Sequence, residues 1–225
     1  MFRFNNLLSA IVIVAASALS LIITSSAQAQ SQTVVFVDAD SPNNSPQNTP
    51  PGNSWGDAFK FLSDAMAYSA SLANPLPIWV AAGTYKPDQS SANPNGTSNP
   101  VDRTATFLLR ENVGIYGGFA GNEPNTPVGF RSRNHLINIT ILSGEIGIAA
   151  LSDNSYHVVT ANVRNSGILD GFTITRGNAA GAPSPNGCVD GEAGGGLLAY
   201  GGSTQLTGVD AKIARCTFID TNANS

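Results

Sequence analysis

The sequence predicts an all-β protein of many short strands with one amphipathic helix near its start. Three observations support this class: the chain of 225 residues contains 23 glycines, only 12% of its residues are charged, and no long helical pattern follows position 75. This composition is typical of short strands joined by turns.

The first 29 residues predict an export signal. Arg3 precedes an apolar run from Leu7 to Ile23, and Ala27-Gln28-Ala29 has the small-x-small pattern that signal peptidase accepts. We predict cleavage after Ala29 and a mature chain that is secreted or held at the outer cell surface. The alternative is an uncleaved membrane anchor, because the apolar run is near the minimum spanning length of roughly 17 residues.

Residues 30–53 predict one short strand and a loop. The strand is Val34 to Val37, and the stretch from Ser41 to Asn53 is too rich in Pro, Asn and Ser to hold regular structure. Residues 54–225 are predicted as a single domain that begins with a capping helix and continues as stacked strands.

The capping helix is predicted to start at Ser54, which forms a capping-box pattern with Asp57. Asn74 and Pro75 end it. Between these limits, apolar or small residues recur at three- and four-residue steps, as on one face of a helix. They are Trp55, Ala58, Phe59, Leu62, Ala65, Met66, Leu72 and Ala73.

An apolar strand from Ile78 to Ala82 follows without a polar break, as expected for a strand covered on both faces, and Gly83 supplies the bend that ends it. A second loop runs from Lys86 to Pro100. Beyond it, strand-length runs are bounded by Gly, Asn, Asp or Ser. They are Ala105 to Leu109, Val113 to Tyr116, Ile139 to Leu142, Tyr156 to Thr160, Ile168 to Thr175, Leu197 to Tyr200, Gln205 to Thr207 and Ile213 to Ile219.

Two of these runs align with each other. The residues from Gly171 match those from Arg215 at a threonine, an apolar residue and an Asn-Ala pair, at an offset of 215 − 171 = 44 residues. This period predicts two coils of about 22 residues each, with Leu197 to Tyr200 as the strand of the intervening coil. Asn178 and Asn222 then predict a stacked amide ladder at a coil corner, in the left-handed conformation that Asn tolerates.

Eight segments, taken in order, carry a resemblance that covers most of the chain after Gln30. They are VVFVDAD at Val34, SWGDAFKFLSDAM at Ser54, IWVAAGTYKP at Ile78, VGIYGGFAGNE at Val113, ILSGEIG at Ile141, DNSYHVV at Asp153, LDGFTITRGNA at Leu169 and GGGLLAYGG at Gly194. The chain resembles the N-terminal part of bacterial right-handed parallel β-helix repeat proteins, of the pectate-lyase-like superfamily and close in style to polymorphic outer-membrane-protein repeats. The resemblance implies a right-handed single-stranded parallel β-helix whose N-terminal end is plugged by the helix.

Two departures qualify the resemblance. The outer-membrane-protein repeats pair a Gly-Gly-Ala-aliphatic motif with Phe-x-x-Asn, whereas this chain has Gly195-Gly196-Leu197-Leu198, and Asn222 comes one place late after Phe218. The second departure concerns the far end, since a solenoid shields its last coil and no capping helix follows the last strand before Ser225. We therefore expect either a part of a longer β-helix protein or a second chain that covers this end.

Charge and cysteine content restrict the partners. The net charge of −4 and the lack of a Lys and Arg stripe argue against nucleic acid as a partner. An acidic polymer such as pectate would need local cations or bound calcium to bind.

Only Cys188 and Cys216 are present, which excludes a disulfide-dense domain and leaves a single disulfide between them as an alternative. Cys216 lies in an apolar strand pattern that favours a buried thiol.

The resemblance also implies where lyase chemistry would be found. Pectate-type lyases gather acidic calcium ligands and a basic residue on one outer face. The candidates here are Asp153, Asp170, Asp190 and Glu192 as ligands and Arg164, Arg176, Lys212 and Arg215 as bases. None has diagnostic spacing: Asp170-Gly171 is typical of a turn, and Asp190-Gly191-Glu192 is typical of a loop tip. The paired-carboxylate motifs of polygalacturonases are absent, and His157 is predicted to be structural.

The sequence therefore assigns no catalytic, cofactor-binding or metal-ligating residue and predicts no cofactor; calcium enters only under the lyase alternative. Two function classes remain. The favoured one is an exported, non-enzymatic β-helix module for adhesion or glycan binding, with a polysaccharide or another cell-surface protein as partner. The other is an extracellular polysaccharide lyase that acts on a uronate polymer by calcium-assisted β-elimination. Fold alone does not decide between them.

Overall fold

The computed structural model describes residues 32–42, 48, 50–96, 101–161, 167–180, 194–199 and 211–222. The predicted signal peptide, the predicted strand Gln205 to Thr207, and Cys188 lie outside the described residues. No helix in the described part of the chain is long and apolar enough to cross a membrane.

Strands dominate the structure and helices are few. The helices are α1 (Leu62–Ser71) and α2 (Pro127–Ser132), and short 3₁₀ turns span Trp55–Asp57 and Leu151–Asp153. The strands are β1 (Val35–Val37), β2 (Ile78–Ala81), β3 (Gly83–Tyr85), β4 (Phe107–Leu109), β5 (Gly114–Phe119), β6 (Thr140–Ser143), β7 (Val159–Ala161), β8 (Ile168–Asp170), β9 (Thr173–Thr175), β10 (Leu197–Ala199), β11 (Lys212–Ala214) and β12 (Thr217–Ile219).

These strands form three sheets in which every pairing is parallel. The strand orders are β1-β2-β5-β8-β11 in the first sheet, β3-β6-β9-β12 in the second and β4-β7-β10 in the third. From β2 onward the chain visits the first, second and third sheets in that rotation, and it returns to each sheet one strand further along. One passage through all three sheets is called a circuit below. A fold of mostly strands in parallel sheets agrees with the predicted all-β class.

The 44-residue offset is confirmed, but its interpretation as two coils is wrong. Thr217 pairs directly with Thr173, and Asn222 forms a parallel bridge with Asn178, so 44 residues span one circuit. The strand Leu197–Ala199 is not the middle of an intervening coil, because it pairs with β7 in the third sheet. A circuit here contains three strands and their loops, which is why it is about twice the predicted coil length.

The predicted amide ladder is only partly present. The backbones of Asn178 and Asn222 are bridged, yet the Asn178 amide donates to Leu151 O at 2.6 Å and accepts from Ala180 N at 3.2 Å. The left-handed conformation belongs to other corner residues, Arg176 and Asp220 among them. The amide therefore anchors the loop at Leu151, between β6 and β7 of the preceding circuit, rather than bonding to the next circuit.

The predicted helix cap at Ser54 is also wrong, and the α-helix begins eight residues later than predicted, at Leu62. Ser54 makes no side-chain cap, while the Asp57 carboxylate accepts from Asn48 N and Gly52 N and so fixes the preceding loop. Phe59 then exchanges backbone hydrogen bonds with β1, donating to Phe36 O at 2.9 Å. That extended bridge prevents helix formation until Leu62.

The interior consists of apolar columns that run across circuits. Ile78, Ile115 and Leu169 occupy matched positions in the first sheet and are all buried, whereas Ile213 in the edge strand β11 is 36% exposed. α1 packs against β1 and β2 through buried residues that include Leu62 and Ala65. Burial of such columns supplies the main favourable free energy of folding.

Tight corners divide two of the predicted long strands. The run Ile168 to Thr175 bends at Gly171, which has φ +87°, and the run Ile213 to Ile219 bends at Arg215, which has φ +50°. The prediction that Asp170-Gly171 is a turn is confirmed, since Asp170 ends β8 and Gly171 is the bend. This corner places the Asp170 side chain between two circuits.

Candidate functional site

The structure brings two arginines to one carboxylate. Arg133, one residue beyond α2, donates from Nη2 to Asp170 Oδ2 at 2.8 Å. Arg215, at the corner after β11, donates from Nε to Asp170 Oδ1 at 2.7 Å and from Nη2 to Asp170 Oδ2. Asp170 therefore joins the α2 segment to the following circuit.

Two of the three charged side chains in this cluster are buried, and their burial affects the pKa of Asp170. The side chains of Arg133 and Asp170 are 7% and 6% exposed, and that of Arg215 is 52% exposed. Burial alone raises the pKa of Asp170, but the hydrogen bonds from Arg215 and Arg133 outweigh it and lower the pKa below its usual range. The carboxylate is thus held ionised, and it stabilises both arginines.

Aromatic rings hold the Arg133 side chain in place. Its guanidinium lies 4.7 Å from the ring centroid of Phe130 and 5.4 Å from that of Tyr116, within the range of cation–π attraction. Phe130 in turn packs with Trp79 and Phe119, whose rings stack at 4.7 Å. Arg133 also donates to Gly117 O at 3.0 Å. These contacts leave Arg133 little freedom to reorient.

Beside Arg133 and Arg215 lies an open cavity of about 310 Å³, which we call the arginine pocket. It is lined by Phe130, Arg131, Arg133, His135 and Arg215. The lining includes three arginines, of which only Arg133 and Arg215 pair with Asp170, so the described lining carries net positive charge. An aromatic ring beside guanidinium groups can contact the apolar face of a sugar or the charged group of an acidic ligand.

No protein-family model matches the chain, and neither a curated protein nor a solved structure matches it. The resemblance to β-helix repeat proteins therefore stays a prediction.

The sequence-predicted lyase candidates are dispersed. Arg176 pairs with Glu145 at 2.9 Å, Lys212 lies exposed in β11, and Asp153 Oδ2 accepts from Ile148 N at 2.7 Å. Arg164, Asp190 and Glu192 lie outside the described residues. Of the five candidates that the structure describes, it brings together only Asp170 and Arg215, and they form an ion pair.

Calcium does not fit the described candidates. Calcium is bound by six to eight oxygens, yet Asp170 faces two arginines, and among the described residues no group of three His, Cys, Asp or Glu side chains could hold a metal ion. We therefore derive no chemical step through calcium.

The two remaining reactive residue types occupy structural positions. Nδ1 of His157 lies 3.2 Å from Gly194 O, and burial lowers the His157 pKa despite that contact. Cys216 carries a free, half-buried thiol near Ala214 O, and burial raises its pKa. A raised thiol pKa disfavours the nucleophilic thiolate.

Sequence reasoning missed the arginine pocket. The signal lay in Arg131-Ser132-Arg133-Asn134-His135, where three basic residues alternate, but a short run of this kind is usually solvated. Arg215 lies far along the chain, and only the parallel stacking of circuits brings it to the same corner.

Proposed function

We propose that this protein is an exported binding module, a right-handed single-stranded parallel β-helix that binds a glycan at the cell surface or in the extracellular space without cleaving it. The observation that carries the proposal is the rotation of the strands through three parallel sheets. A chain that returns to each sheet one strand further along is what a single-stranded β-helix requires, and such solenoids present long surfaces suited to extended ligands.

The N-terminal helix supports the same architecture. α1 packs on β1 and β2, the first two strands of the first sheet. An amphipathic helix at that place would cover the apolar interior of the first circuits, as the resemblance implies for a cap.

Three of the described candidate catalytic groups are held in ion pairs, which supports ligand binding over cleavage. Asp170 accepts hydrogen bonds from Arg133 and Arg215, and Arg176 is paired with Glu145. A general base must be unprotonated and within reach of the proton it removes, but the pairing of Arg215 with Asp170 raises the arginine's pKa further. The arginine pocket, with Phe130 beside cationic groups, suits ligand contact better than proton abstraction.

Glycan binding is tested with the mature protein on a panel of immobilised neutral and acidic polysaccharides. We expect saturable retention on at least one polysaccharide by the folded protein and none by the same protein after thermal unfolding. Equal retention of both forms, or no retention on any polysaccharide, would contradict the proposal.

Export is tested separately by N-terminal sequencing of protein recovered outside the cytoplasm. Cleavage after Ala29 gives a mature chain that begins at Gln30. An intact Met1 on a membrane-bound product would instead support the uncleaved anchor.

A further inference from the structure

The arginine pocket contains guanidinium donors that the fold itself does not use. Arg215 binds Asp170 through Nε and Nη2, which leaves its Nη1 for another acceptor. Arg131 is exposed, and its side chain makes no hydrogen bond or ion pair with any other described residue. By contrast, Arg133 is occupied by Asp170 and Gly117 O. Arg131 and Arg215 are therefore the two arginines of the pocket with free donors.

The backbone at Arg215 is a second, independent observation. Its φ of +50° is in the left-handed region, and in the preceding circuit the matching corner position is Gly171, with φ +87°. Glycine adopts this conformation without penalty, whereas a long side chain does so at a cost. Non-glycine residues in such conformations concentrate at functional sites. Arg215 therefore occupies its corner at a conformational cost that Gly171 avoids in the preceding circuit.

The Asp170 carboxylate orients this arginine. Bidentate contact through Nε and Nη2 fixes the plane of the Arg215 guanidinium. Asp170 is itself fixed by Arg133, whose position is set by Phe130 and Tyr116. Arg215 is therefore presented to the pocket in a preorganised state, which reduces the entropy lost when a ligand binds.

We propose that the arginine pocket binds an oxyanion, a sulfate, phosphate or carboxylate group, between Arg131 and Arg215. Guanidinium groups match the geometry of these anions and donate charge-assisted hydrogen bonds to them. His135 also lines the pocket. The anion is either a free ion or a group carried by an acidic glycan, and this inference holds whether or not the proposed glycan function is correct.

The test is isothermal titration of the mature full chain with sodium sulfate and sodium phosphate, at constant ionic strength set by sodium chloride. Parallel titrations use polygalacturonate, a sulfated polysaccharide and neutral dextran. The variant is Arg131→Gln, which removes a pocket charge that has no side-chain hydrogen bond or ion pair with the described residues. Its matched control is Arg110→Gln, because Arg110 is also exposed but lines different cavities beside Leu108.

We expect saturable binding of at least one oxyanion, weakened about tenfold by Arg131→Gln and unchanged by Arg110→Gln, since one charge-assisted hydrogen bond is worth about that factor. Binding of free sulfate or phosphate identifies a small-ion site, whereas binding of an acidic polysaccharide alone identifies a glycan-borne group. Both outcomes support the pocket.

Three outcomes would overturn the inference: no saturable binding of any anion, equal loss in both arginine variants, or full binding by Arg131→Gln. The glycan proposal fails on different results. Retention of a neutral glycan with no anion binding contradicts the pocket alone, and sulfate binding with no glycan retention contradicts the glycan function alone.

Discussion

Arg215 lies at the corner position that Gly171 occupies one circuit earlier, 44 residues before it, and both backbones have positive φ. The arginine accepts a conformation that costs about 1 kcal/mol for a residue with a side chain. In this position its guanidinium reaches Asp170, the residue that precedes Gly171. The left-handed backbone at Arg215 therefore positions its side chain for the ion pair with Asp170, and the arginine pocket depends on both.

Gly171→Ala is expected to lower the free energy of unfolding by about 2 kcal/mol. Gly171 has φ +87°, and an added Cβ would lie 2.9 Å from Gly117 O, a backbone atom that cannot easily move. Urea denaturation of the two proteins measures the difference. Gly56→Ala is the matched control, because a Cβ there meets nothing within 4 Å. Equal stability of both variants would argue against the left-handed corner.

Asp170→Asn is expected to lower the free energy of unfolding by about 3 kcal/mol, because it leaves the buried Arg133 guanidinium without its counter-charge. Glu145→Gln is the control. It breaks a partly exposed ion pair with Arg176, which is worth less than about 1 kcal/mol. If the two variants lose the same stability, the Asp170 cluster does not hold the circuits together.

Acid titration gives a second readout of Asp170. Its pKa is lower in the folded protein than in the unfolded chain, so its contribution is complete above the unfolded value of about 3.9 and is lost as the pH falls through the folded value. Chemical denaturation as a function of pH should therefore show a smaller loss of stability below about pH 4 in Asp170→Asn than in wild type. Parallel curves would contradict the assigned pKa direction.

His157→Gln is expected to flatten the pH dependence of stability just below about pH 6.5. Burial lowers the His157 pKa, so in that range the unfolded chain binds the proton more readily and wild-type stability falls as the pH decreases. Denaturation curves between pH 5 and 8, in steps of about half a unit, measure the slope. The same slope in wild type and His157→Gln would contradict the role of burial.

Asn178→Ala is expected to lower the free energy of unfolding by about 1–3 kcal/mol, because Leu151 O and Ala180 N lose their side-chain partner in a buried setting. Asn222→Ala, at the exposed equivalent one circuit later, should cost less than about 0.5 kcal/mol. Thermal unfolding of both variants provides the comparison. A larger loss at Asn222 would favour the amide ladder that the sequence predicts.

The positions of most strands could be predicted from the sequence because apolar runs bounded by turn residues are a local signal. The 44-residue match of the segments from Gly171 and Arg215 also predicted which residues lie side by side. The match does not show how many strands lie between the two segments, because sequence similarity gives the distance along the chain and not the course of the chain in space. The 44-residue offset therefore predicts two short coils, whereas in the structure the same 44 residues form one circuit.

The wrong cap at Ser54 and the missed partners of Asp170 have a common cause. A capping box is predicted from four neighbouring residues. Here, however, the Asp57 carboxylate accepts hydrogen bonds from the backbone amides of Asn48 and Gly52, and the backbone of Phe59 forms a bridge with β1. Likewise, the sequence correctly predicts a turn at Asp170-Gly171, yet nothing nearby in the sequence indicates that Arg133 and Arg215 bind Asp170. Long-range contacts decided the outcome in each case.

The most direct test of the central claim, binding without cleavage, is the ultraviolet absorbance of unsaturated sugar products. The full chain is incubated with polygalacturonate, alginate and related glycans in the presence of calcium, with a chelator-treated sample beside each. Our account predicts that a bound glycan is recovered intact and that absorbance does not rise. A rise in absorbance that the chelator abolishes would contradict it and establish a calcium-dependent lyase.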